Sequence, residues 1–77
     1  MRVSELVSDL QALRESLADE LAAINHYEPL VDSLAHEEAR SVVKRILDTR
    51  KQHAAMLTHA IELLDPKQAE ANRAFGQ

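Results

Sequence analysis

Four polar side chains stand where the surrounding pattern calls for apolar ones: Glu20, Tyr27, Arg50 and His53. A carboxylate and an imidazole together are a donor pair for a first-row metal ion. Glu20 can equally be held by an ion pair, and His53 is a satisfied core imidazole as readily as a ligand. Tyr27 follows Glu20 by seven residues, two turns along one helical face. A hydroxyl there can orient a ligand carboxylate. It can equally belong to a packed ring whose oxygen has found a partner. Arg50 lies three residues before His53, and its guanidinium repels a metal ion but forks well onto a carboxylate. Two chemistries are open. Glu20 and His53 bind a metal ion with help from Asp48, Thr49 or water, or Glu20 closes on Arg50 and no metal is needed.

The elements that position these residues are helices. Val3, Leu6, Leu10, Leu13, Leu17, Glu20, Ile24, Tyr27, Val31 and Leu34 succeed one another by threes and fours. That spacing predicts a helix over about residues 3–33, packed lengthwise on others, and about 45 Å long. Pro29 removes a backbone donor inside it. A kink near Asn25 to Pro29 is expected because the stripe continues beyond, and an end near Glu28 is the alternative. In "SLAHEEAR" the chain reverses, with Ser33 or His36 opening the next helix and Glu37 and Glu38 in its first turn. The second helix is expected over about 37–64, with the seam Ala39, Val43, Ile46, Arg50, His53, Leu57, Ala60 and Leu64. "DPKQ" ends it. Asp65 as N-cap, Pro66 at the first helical position and Gln68 three after the cap predict a short helix over about 66–75. Its expected contacts are Ala69, Ala71 and Phe75.

Composition narrows the function classes. The 77 residues make one domain at most, here residues 1–77. With no cysteine, disulfides, zinc fingers and redox thiols are excluded. A net charge of −4 with interspersed signs argues against a nucleic-acid partner. No apolar run approaches the roughly 20 residues that span a membrane. "MRVSELVSDL" is not a secretory leader, so the expected address is the cytoplasm. There is one glycine and there are two prolines, so the fold class is all-α. No glycine-rich phosphate loop or Ser/His/Asp pattern occurs.

Two antiparallel helices enclose no core, and a chain this short needs a staple. With disulfides excluded, the staple is a metal or a partner chain. A homodimer forming a four-helix bundle is the simplest solution, with a ring of dimers as a larger form.

The residues also carry a resemblance. "LADELAAINHYE" resembles the first helix of the ferritin-like superfamily, in which a ligand glutamate precedes a tyrosine by seven residues, as Glu20 precedes Tyr27. "KQHAAMLTHAIELLDP" is similar to the second half of its Glu-x-x-His motif. A two-helix chain of this length is most similar to the encapsulated ferritins, half-ferritins that dimerise around a di-iron ferroxidase site. The resemblance covers about residues 6–66. It implies Glu20 and His53 as metal ligands, Tyr27 as a hydrogen-bond donor beside them, iron as the metal, ferrous oxidation as the reaction and an encapsulin shell as partner, with a nanocompartment as the site of action. The chain departs from it at Arg50, where the family places a second, bridging glutamate. A symmetric dimer would then hold two Glu20, two Arg50 and two His53, balanced in charge without metal. On that alternative the chain is a metal-free structural or partner-binding relative. "AEANRAFGQ" contains no evident shell-targeting peptide.

Weaker candidates remain. His36 with Glu37 and Glu38 reads as helix capping, His59 with Glu62 as a solvated pair, and His26 as a neighbour of Tyr27 near the kink.

Overall fold

The structure is a computed structural model and describes residues 1–76. Three helices follow in order: α1 (Val3–Ser33), α2 (Glu37–Leu64) and α3 (Pro66–Phe75). No strand occurs among the described residues. The fold is all-α. α1 and α2 form a long hairpin, and α3 packs against α2.

Local chemistry sets the boundaries. α1 runs on through Pro29 without a break, so the alternative end near Glu28 does not occur. Only one turn of helix follows the proline, and the missing amide costs a single intrahelical bond. At the reversal, His36 is the N-cap of α2, its Nδ1 accepting from the Ala39 amide at 3.1 Å. Glu37 and Glu38 lie in the first turn, as helix-dipole complementarity favours. Asp65 caps α3 by accepting from the Gln68 amide at 3.2 Å. The reciprocal half of the expected capping box is absent: Gln68 Nε2 donates instead to Asn72 Oδ1 at 2.8 Å. A second bond runs from Asn72 Nδ2 to Glu62 Oε1 at 2.8 Å and ties α3 back to α2.

The core is thin. Leu10, Leu47, Ile61 and Ala69 are the buried hydrophobic residues. On α1 the predicted stripe is the face turned to α2 from Leu6 onward: Leu6, Leu10, Leu13, Leu17, Glu20, Ile24, Tyr27, Val31 and Leu34 are each buried or half-buried, while Val3 at the helix start is exposed. On α2 the expected seam holds at Ala39, Val43, Arg50, Leu57, Ala60 and Leu64, which are half-buried, and departs at Ile46 and His53. Val43, Leu47, Arg50, Ala54, Leu57, Ile61 and Leu64 face inward, while Ile46 and His53 are exposed. Two heptad stripes, one residue apart, run along this helix, and both satisfy three–four spacing. The packing angle on α1 selects the stripe that carries Leu47 and Ile61. α3 also differs from expectation, since Ala69 is buried while Ala71 and Phe75 are exposed.

The molecule measures 51 × 30 × 14 Å. A thickness of 14 Å is one helix layer, and a globular core needs two. Val42 (58 % exposed), Met56 (67 %) and Leu63 (68 %) are consequences of that single layer.

The junction between α2 and α3 gives a first prediction. Arg14 Nη2 of α1 donates to Asp65 Oδ2 at 3.0 Å, so one carboxylate both caps α3 and ties it to α1. Asp65→Ala is expected to destabilise by about 1–2 kcal/mol, mostly from the cap. Hydrogen exchange should speed up in α3 before the hairpin is affected. Uniform acceleration throughout the chain would contradict this local role.

Candidate functional site

Glu20 lies mid-helix on the inward face of α1, opposite the middle of α2. Its side chain is 14 % exposed. Such a carboxylate needs compensation, and Arg50 supplies it from the same chain, with Nη1 donating to Glu20 Oε1 at 3.1 Å. His53 Nδ1 stands 3.4 Å from the same oxygen. Arg50 and His53 are a turn apart on α2, so one helix presents both to one carboxylate. Arg50 is 40 % exposed and His53 46 %, and both reach the carboxylate from the open side of the hairpin. A further ion pair, Lys51 Nζ to Glu28 Oε2 at 3.7 Å, clips the helices nearer the reversal.

The geometry is one-sided. Oε1 takes both neighbours, while Oε2 is buried with no hydrogen-bond partner. Tyr27 is not among the partners of Glu20. Its ring meets His26 edge-on, the centroids 5.2 Å apart.

Within one chain, these residues do not suit the iron that the resemblance implies. Among the described residues, no three of His, Cys, Asp and Glu gather closely enough to hold a metal ion. The donors at the centre are one carboxylate and one imidazole. The position that a second carboxylate would need is held by a guanidinium already bonded to the first. A cation on Oε1 would have to displace that bond and sit beside a fixed positive charge. Asp48, an alternative helper, is instead engaged by Lys44 Nζ at 3.1 Å. The other candidates lie elsewhere. His36 is occupied in capping, and Glu62 is bonded to Asn72.

Two shallow grooves open on the face that carries this centre, and both include Glu20 and His53. One is completed by Val42, Arg45, Ile46, Thr49 and Arg50, the other by Ser16, Met56, Leu57 and Ala60. Val42, Ile46, Thr49, His53, Met56, Ala60 and Leu63 follow one another by fours and threes, a second helical seam whose members are exposed except for the half-buried Ala60. Arg45 was not singled out from the sequence. The signal was available in this second stripe, beside which Arg45 falls.

No family model matches the chain, and no solved structure does. Among curated proteins, the chain is similar to the encapsulin nanocompartment cargo protein EncC of Myxococcus xanthus (strain DK1622), with 34 % identity over 59 residues. That match covers 77 % of this chain and 45 % of the relative, so the chain spans less than half the length of the curated protein it resembles. Among the described residues, no helix is long and apolar enough to cross a membrane. The chain is thus an all-helical homologue of an encapsulin cargo protein, with an arginine–glutamate pair at its centre.

Proposed function

We propose that this chain is a structural, cargo-type component of an encapsulin nanocompartment, a hairpin that pairs with a second copy as a ferritin-like four-helix bundle. Its centre is held by the Glu20–Arg50 ion pair in place of a di-iron site. One observation carries the reading: Arg50 Nη1 lies 3.1 Å from Glu20 Oε1 within a single chain. The similarity to a cargo protein supports the compartment. The single-layer build and the exposed second seam of α2 support pairing.

A second reading rests on Glu20 Oε2, buried without a partner, beside His53. On this reading the paired hairpins bring two such carboxylates and two imidazoles together and retain some ferroxidase-like iron handling, with Tyr27 as a nearby donor. Ferrous loading, desalting and elemental mass spectrometry, with the oligomer mass from the same sample, separate the two. A dimer with no retained iron fits the structural reading. Iron retained in stoichiometric amount, and lost in Glu20→Ala and His53→Ala, overturns it.

The pairing has its own test. Ile46→Asp places a charge on the second seam without touching Leu47 or Ile61. It is expected to convert dimers to monomers in sedimentation velocity while leaving the helical circular-dichroism signal of the hairpin in place. An unchanged mass would move the interface to another face.

A further inference from the structure

The groove beside Glu20 has a charge that the proposed role does not use. Arg45, Thr49, Arg50 and His53 line it from one side of α2, with Glu20 as the opposing carboxylate. Arg50 commits only Nη1 to Glu20. Its remaining guanidinium donors make no hydrogen bond among the described residues, and Arg45 makes no ion pair among them. The lining therefore holds two guanidinium groups against one carboxylate, a net positive charge with His53 neutral. It does so in a chain of net charge −4. The setting is local as well: from Arg40 to His53 the sequence has five basic residues and one acid, Asp48, which is already paired with Lys44.

We propose that this groove binds a tetrahedral oxyanion of the phosphate class. Guanidinium forks match two oxygens of such an anion at once. The Thr49 hydroxyl supplies a further donor from the same helix. The Glu20 carboxylate opposes the anion, but its Oε1 is already covered by Arg50 and His53 and its Oε2 is buried. The groove shares Val42, Ile46, Thr49 and His53 with the seam proposed above for pairing, so an anion bound here and a second copy of the chain compete for one face.

The test is a heteronuclear NMR titration of the full chain with sodium phosphate, against sodium chloride at matched ionic strength. A parallel arm uses sodium sulfate. The expected result is a saturable shift of the Thr49 amide and of the Arg45 and Arg50 side-chain signals in phosphate, and none in chloride. Sulfate producing the same shifts assigns the site to tetrahedral oxyanions generally and supports the proposal. Arg45→Gln, an exposed position outside the core, should weaken binding about tenfold through the loss of one charged donor. Thr49→Ala should weaken it less. Non-saturating shifts, equal shifts in chloride, or unchanged affinity in Arg45→Gln would overturn the site. Sedimentation of the chain in chloride alone judges the pairing separately. Phosphate saturating a chain that is monomeric in chloride upholds the oxyanion site and removes the dimer, whereas a dimer in chloride with no phosphate response does the reverse.

Discussion

Arg50→Leu is expected to destabilise the hairpin by about 2 kcal/mol, a drop of roughly 10 °C in the melting temperature of a chain this small. The loss comes from the residue that stays behind. Glu20 is 14 % exposed and already has one oxygen without a partner. Removing the guanidinium leaves the carboxylate with only the imidazole at 3.4 Å. Breaking a fully buried pair costs about 3–5 kcal/mol, and the figure is reduced here because Arg50 is 40 % exposed. The double variant Glu20→Leu with Arg50→Leu should recover most of the loss, since replacing both partners by apolar groups removes the desolvated charge. Arg50→Glu should be worse than Arg50→Leu in the absence of metal, because it sets two carboxylates against each other. Thermal unfolding of the four proteins in chelator gives the comparison directly. Equal stability of wild type and Arg50→Leu would mean that Arg50 lies out in solvent along its aliphatic stem and that the ion pair contributes nothing.

Ile61→Ala should cost about 3 kcal/mol, the largest effect of any single truncation in the chain. Ile61 is 5 % exposed, the most buried of the four core residues. It lines the groove between the hairpin and α3, together with Leu17, Thr58, Gln68 and Asn72. No second layer of helices can collapse into the space left, because the molecule is 14 Å thick. Small domains fold with margins of only about 5–15 kcal/mol, so the variant should approach the limit of folding at low concentration. Leu63→Ala is the control. That side chain is 68 % exposed, and its loss should be within about 0.5 kcal/mol in the monomer. In a paired bundle the same change should weaken association, and its effect should grow on dilution. Urea unfolding at two protein concentrations reads both. Equal losses for the two variants at high dilution would contradict the assignment of Ile61 to the core and Leu63 to the open face.

The α1 stripe and the Asp65–Pro66 start of α3 were legible from the sequence, and His36 was one of the two starts it offered for α2, because each is a local or single-helix property. Three–four spacing follows from 3.6 residues per turn. A cap needs only a short polar side chain two or three residues before a free amide. Glu20 and Arg50 were legible as partners for a related reason: each charge stands on an apolar stripe, where burial demands an opposite charge. The sequence left open whether they would meet within one chain, and the hairpin brings them together in one chain at 3.1 Å. The two-turn spacing of Tyr27 from Glu20 left open a donor to the carboxylate or a packed ring. That spacing places it on the same face but does not aim the hydroxyl, and its ring meets His26.

The inward face of α2 could not be read from one helix. Ile46, His53 and Ala60 share one heptad stripe, Leu47, Ala54 and Ile61 the next, and both are apolar enough to be core. Helical periodicity determines that such stripes exist. Only packing against α1 determines which of them is buried. The residues themselves determined an all-helical chain with polar side chains at its centre and too little apolar surface to close a core alone. The tertiary structure decided that Leu47 and Ile61 turn inward, and that His53, Ile46 and Met56 remain on the open face. Two helices in contact can cover only one stripe of each, so the second apolar stripe of α2 stays exposed to solvent or to a partner.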